Sequence, residues 1–198
     1  MGIELLELLT YGGSTLVLVA LLAVALFTDL RWHRIPNAVS FGGVLLALAW
    51  AVAQDFGVPA STLGANGLIE CMLGLLVGLG VFLPFYALGG MGAGDVKLMA
   101  MAGAFLGPGD AIIAAAVALV LGGCIALVLL AIKNGLKPAL QRYWATLRTF
   151  HYVPPDKGEA ATIRFPYAIA IFSGVAIVLW QLSYMAELQT SLYLLLGR

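Results

Sequence analysis

Six long apolar segments, separated by glycine, proline and charged residues, dominate this sequence of 198 residues. About 20 apolar residues span a bilayer as a helix, and in lipid only helices or closed barrels satisfy every backbone polar group. The segments lack the alternation of apolar and polar residues that a barrel strand requires. We therefore expect an all-α, polytopic integral membrane protein of about six transmembrane helices, at about 14–30, 38–53, 67–88, 95–106, 111–132 and 165–182.

Composition excludes several other classes of protein. The chain is 62% hydrophobic and 10% charged, whereas a soluble domain carries about 25% charged residues. Its formal net charge is zero, so it lacks the basic surface that a nucleic-acid partner requires. Cys71 and Cys124 lie in apolar segments without CxxC or Cys/His spacing, and we expect no metal and no cofactor. Membrane lipids are the expected surroundings of a single domain covering residues 1–198.

The basic residues predict the orientation, because they stay on the cytoplasmic side in short loops. Arg31 and Arg34 follow the first predicted helix, and Lys97 opens the fourth. Six others lie between the fifth and sixth helices: Lys133, Lys137, Arg142, Arg148, Lys157 and Arg164. Both termini are therefore expected outside. The segment 133–163 has an apolar arc and a basic face, which favours an interfacial helix on the inner leaflet; a plain positive loop is the alternative.

Two acidic residues stand out from the rest. Asp29 falls in the last turn of the first predicted helix and Asp95 at the start of the fourth, so both are expected at the cytoplasmic edge of the membrane. A carboxylate in the membrane is costly and usually faces a partner or a cavity. Two carboxyl groups brought together share a proton and can activate a water molecule, which is the chemistry of an aspartic protease.

The flanks of these acids support a pair. Asp95 follows the glycine-rich run 89–94, where a substrate backbone can come close. A helix N-terminus favours a charged carboxylate and a C-terminus a protonated one, so we hypothesise Asp95 as the base and Asp29 as the acid, in a coupled pair whose roles can swap. Two alternatives stay open: Asp95 as a simple N-cap, and Asp29 reaching out to water.

The sequence resembles the type IV prepilin peptidases, which belong to the GxGD group of intramembrane aspartyl proteases. Residues 29–37, DLRWHRIPN, are similar to the family's first motif, an Asp at the end of a span followed by Ile, Pro and Asn. Residues 92–97, GAGDVK, are similar to its GxGD motif with a Lys two residues later. Pro166, Tyr167 and Ala168 form a third, weaker match.

This resemblance implies a transmembrane peptidase of the inner membrane that cleaves the short basic leader from a prepilin or pseudopilin substrate. Asp29 and Asp95 would be the catalytic pair. We take the candidate substrate-binding residues to be Gly92, Gly94, Lys97 and Asn37, with Asn37 also shaping the turn after the first helix and Lys97 alternatively marking the membrane interface.

The length resembles that of the short family members found with Tad or Flp pili, and archaeal preflagellin peptidases are the alternative. Longer members carry a cytoplasmic insert with paired CxxC motifs and methylate the new N-terminus. No cysteine precedes Asp29 here, so we do not expect methylation.

Two other functions compete with the peptidase. A small ion or proton transporter would move ions into vesicles without proteolysis, although no relay of acids crosses the predicted bilayer. A noncatalytic scaffold of a pilus or secretion machine would keep its function when both Asp29 and Asp95 are replaced by Asn.

Overall fold

The computed structural model describes residues 2–58, 63, 65–132, 140, 141, 144, 145, 148 and 166–196. All regular secondary structure in these residues is helical, and each of the five helices is long and apolar enough to cross a membrane. The expectation of an all-α, multi-pass membrane protein is therefore confirmed. The helices are α1 (Gly2–Trp32), α2 (Asn37–Asp55), α3 (Leu68–Ala87), α4 (Ala93–Ile132) and α5 (Ala168–Leu196).

The fourth and fifth predicted helices fall on one element, α4, which is interrupted at Gly107. This residue has φ 77° and ψ 172°, which are not helical angles. Pro108 follows and cannot donate a backbone hydrogen bond to the preceding turn. In the described residues, the fourth and fifth predicted helices therefore form one element, because they meet at a kink without an intervening loop.

The first half of α4 lies at the centre of the bundle. Every residue from Leu98 to Gly107 is buried, so this segment presents no polar face. The helical first half of α4, residues 93–106, measures about 21 Å at 1.5 Å per residue, less than the hydrocarbon thickness of a bilayer. Neighbouring helices thus enclose the segment that begins at the GxGD motif.

Glycines let α3 approach the first half of α4 closely. Gly74 and Gly78 are four residues apart and share one face of α3. A Cβ atom at Gly74 would collide with the carbonyl oxygen of Gly103, and one at Gly78 with that of Met99. Helices in lipid associate mainly through close packing, which small residues permit.

The second half of α4 packs against α5 in the same manner. A Cβ atom at Gly174 of α5 would lie 2.5 Å from the carbonyl oxygen of Ala114, and Ala114, Ala115 and Ala118 are fully buried. A Cβ atom at Gly122 would collide with the ring of Tyr167. The start of α5 is therefore held directly against α4.

The predicted interfacial helix lies largely outside the described residues. Within 133–163 the structure describes five residues, and all of them are helical: Leu140, Gln141, Trp144, Ala145 and Arg148. The guanidinium of Arg148 lies 5.0 Å from the ring centroid of Trp144. The interfacial helix as a whole stays a prediction.

Candidate active site

Asp29 lies in the last turn of α1 and is 7% exposed, although it carries a carboxyl group. Its Oδ2 accepts a hydrogen bond of 3.3 Å from the backbone N–H of Ala168, the first residue of α5. A buried carboxyl group needs such a donor. The end of α1 and the beginning of α5 therefore meet at this carboxyl group.

The chain direction changes sharply just after Asp29. His33 has φ 50°, and its N–H donates to the carbonyl oxygen of Asp29 at 2.8 Å. A residue in this left-handed region commonly ends a helix. Pro36 then adopts extended angles, φ −62° and ψ 134°, immediately before α2. The turn keeps Asp29 at the end of α1 and directs Asn37 back toward the bundle.

Asp95 lies in the first turn of α4 and is half-buried. Its Oδ2 accepts the N–H of Gly92 at 3.0 Å, and its own N–H donates to the carbonyl oxygen of Gly92 at 3.2 Å. This reciprocal pair closes the GxGD segment into a tight turn. A Cβ atom at Gly92 would lie 3.3 Å from Oδ2 of Asp95, so glycine leaves room for the carboxyl group.

The flanks of Asp29 and Asp95 contact each other: a Cβ atom at Gly94, next to Asp95, would lie 3.4 Å from Cβ of Ile35, in the turn after Asp29. Tyr167 directly precedes Ala168, the N–H donor to Asp29. The structure thus brings the two acids and the start of α5 into one neighbourhood.

The first and second sequence motifs contact each other beside this pair. Lys97 Nζ donates a hydrogen bond of 3.1 Å to Asn37 Oδ1 and lies 5.2 Å from the ring centroid of Phe41. A Cβ atom at Gly94 would lie 3.4 Å from Cβ of Ile35. The predicted substrate-binding residues Lys97 and Asn37 therefore bind each other, and Gly94 packs on the turn, whereas Gly92 is exposed.

Sequence analysis did not predict that α5 donates a backbone N–H to the Asp29 carboxyl group. Its only indication of this part of the site was the weak match at Pro166, Tyr167 and Ala168. A backbone N–H donor leaves no residue signature, and proline before a helix indicates only its beginning. The donor matters for the acid and base hypothesis. Because Asp29 faces the N-terminus of α5 while ending α1, helix ends alone do not separate it from Asp95.

Two neighbouring carboxyl groups can hold one proton and one negative charge between them, and can therefore polarise a water molecule.

Within the described part of the chain, no group of three or more His, Cys, Asp or Glu residues could hold a metal ion.

Of three comparisons with known proteins, one gave a match, and that match includes the first two motifs. No curated protein and no solved structure matches the chain. The profile of the type IV leader peptidase family matches residues 16–127. This match covers more than half of the sequence, including both acids and both motifs, and confirms the resemblance. The chain belongs to the type IV leader peptidase family.

Proposed function

We propose that this protein is a membrane aspartyl endopeptidase that removes the short basic leader from a prepilin or pseudopilin. The observation that supports this proposal is the contact between the segments that carry Asp29 and Asp95, through Lys97 with Asn37 and Gly94 with Ile35, inside the region that matches a leader peptidase family. Asp29 is buried and Asp95 half-buried, and each accepts a backbone hydrogen bond, which favours fixed carboxyl groups over solvated surface acids.

In the proposed reaction the ionised carboxyl group takes a proton from a water molecule, and the oxygen of that water attacks the scissile carbonyl carbon. The neutral carboxyl group donates its proton to the developing oxyanion. The tetrahedral intermediate then collapses: the C–N bond breaks as the leaving amine takes the water-derived proton from the first carboxyl group, and a hydroxyl of the intermediate returns a proton to the second. General acid–base catalysis of this kind contributes about 10²- to 10⁴-fold in rate.

The glycine-rich segment before Asp95 suits an extended substrate backbone. Gly89, Gly90 and Gly92 are exposed, and their lack of side chains permits close approach. We assign substrate contact to Gly92 and Gly94. Lys97 and Asn37 border the substrate and hold the two motifs together through their mutual hydrogen bond.

The place of cleavage follows from the basic residues. Arg31, Arg34 and Lys97 lie at the end of the bundle that holds the two acids, and positive residues favour the cytoplasmic side. A precursor helix with a basic leader on that side could diffuse laterally in the inner membrane until its scissile bond reaches the carboxyl pair.

Among possible precursors we favour the Flp pilins of Tad systems, and archaeal preflagellins are the alternative. Co-expression tests both the reaction and this preference. The chain is expressed with a Flp-type prepilin or with an archaeal preflagellin, and each precursor is followed by gel mobility and N-terminal mass spectrometry. Loss of the leader from the Flp precursor is the expected result. Two intact precursors beside correctly inserted enzyme would overturn the proposal.

A further inference from the structure

The position of Asp29 depends on the place where α5 begins. The donor to its carboxyl group is the backbone N–H of Ala168, 139 residues away in sequence. At 3.3 Å this hydrogen bond is slightly longer than the usual range of about 2.7 to 3.2 Å for an N–H···O bond. A small displacement of the start of α5 would therefore break it.

Tyr167 fixes the start of α5 through contacts with two other helices. Its hydroxyl donates to the carbonyl oxygen of Ala118 at 3.2 Å. Its ring lies edge-on to that of Phe82, with centroids 5.9 Å apart and planes at 83°. Both Ala118 and Phe82 are fully buried. The ring packs directly on Gly122, where only glycine leaves enough room: a Cβ atom there would lie 2.6 Å from the Tyr167 hydroxyl oxygen.

We propose that Tyr167 is a positioning residue for Asp29: seated against Phe82, Ala118 and Gly122, it sets the start of α5 and so aims the Ala168 N–H at the Asp29 carboxyl group. The inference rests on the proposed function, in that Asp29 takes part in cleavage. Tyr167 acts through the backbone of the next residue and needs no contact with substrate.

Two adjacent glycines of α4 offer a matched pair of variants. Gly122→Ala places a methyl group in the seat of the Tyr167 ring. Gly123→Ala places the same group on the same helix where no described atom lies within 4 Å. Both substitutions favour the helix equally, so they differ only in their effect on Tyr167.

Steady-state cleavage of a full-length precursor by the reconstituted protein gives kcat and KM separately, with the melting temperature in detergent as the folding control. Misplacement of a reacting group by about 1 Å costs about 10²-fold. We therefore expect Gly122→Ala to lower kcat by about 10- to 100-fold with KM unchanged, and Gly123→Ala to match the wild type. A folded Gly122→Ala protein with wild-type kcat would overturn the inference, as would a rise in KM alone.

Variants of the tyrosine test the same link independently, even if Gly122→Ala does not fold. Tyr167→Phe keeps the ring and is expected to retain most of kcat, whereas Tyr167→Ala is expected to lose it. In the Tyr167→Ala background, Gly122→Ala should have no further effect, because the group it displaces is gone. A folded Tyr167→Ala protein with full kcat would contradict the proposal. Cleavage at the wild-type rate by an Asp29→Asn protein would contradict the proposed function, whatever the Tyr167 variants show.

Discussion

Lys97 Nζ donates a hydrogen bond to Asn37 Oδ1 across 3.1 Å, and this bond joins the start of α4 to the start of α2. Asp95 stands two residues before Lys97, and Asp29 lies eight residues before Asn37. The contact therefore ties together the two segments that carry the proposed catalytic acids.

Breaking this contact from either side should have one and the same effect. Lys97→Met and Asn37→Ala are each expected to lower the cleavage rate by about 10-fold, which corresponds to about 1.4 kcal/mol, because either change frees the two motif segments to move relative to each other. The double variant should be no slower than the slower single variant. Cleavage rates of the three reconstituted variants measure this coupling, and strictly multiplicative losses would show that the two residues act separately.

Close packing of α3 on α4 predicts which glycines of α3 are needed for stability. Gly74→Ala and Gly78→Ala would each push a methyl group into backbone of α4, and such overpacking costs about 1 to 3 kcal/mol. Gly80→Ala is the control on the same helix, because no described atom lies within 4 Å of its added methyl group. Thermal unfolding in detergent should show a lower melting temperature for the first two variants alone. Equal melting temperatures for all three would contradict the packing.

The kink in α4 makes a second prediction about stability. Gly107 has φ 77° and ψ 172°, a region essentially restricted to glycine, where other residues pay about 1 to 3 kcal/mol. Gly107→Ala should therefore unfold at a lower temperature than the wild type. Gly109→Ala, two residues away and facing open space, should not. A Gly107→Ala protein as stable as Gly109→Ala would mean that the kink is absent.

A carboxyl pair with one proton predicts a bell-shaped pH profile of kcat/KM. Activity falls on the acidic side because the charged carboxyl group becomes protonated, and on the basic side because the neutral one ionises. The apparent pKa values of the two limbs describe the titration of the coupled pair and are not assigned to either residue. Initial rates between about pH 4 and pH 9 in liposomes measure the profile. A rate independent of pH across this range would speak against acid–base catalysis by Asp29 and Asp95.

The sequence predicted the membrane helices because long apolar segments are unambiguous in lipid. It also indicated the break at Gly107 and Pro108, but not that the two halves of α4 meet at a kink without a loop between them. Contact between the segments that carry Asp29 and Asp95 could be expected from their positions at helix ends. Their backbone donors could not, because an N–H group has no residue signature and its direction depends on how α5 packs.

Leader cleavage by the purified protein and its Asp variants tests the central claim most directly. The wild type, Asp29→Asn, Asp95→Asn and the control Asp110→Asn are reconstituted separately with a prepilin, and the released leader is quantified by mass spectrometry. Asp110 lies beyond the kink of α4, 15 residues after Asp95, which is about 22 Å at 1.5 Å per residue. We predict release by the wild type and Asp110→Asn, and a loss of at least about 10²-fold in each of the other two. Wild-type release by a folded Asp29→Asn or Asp95→Asn protein would contradict the account.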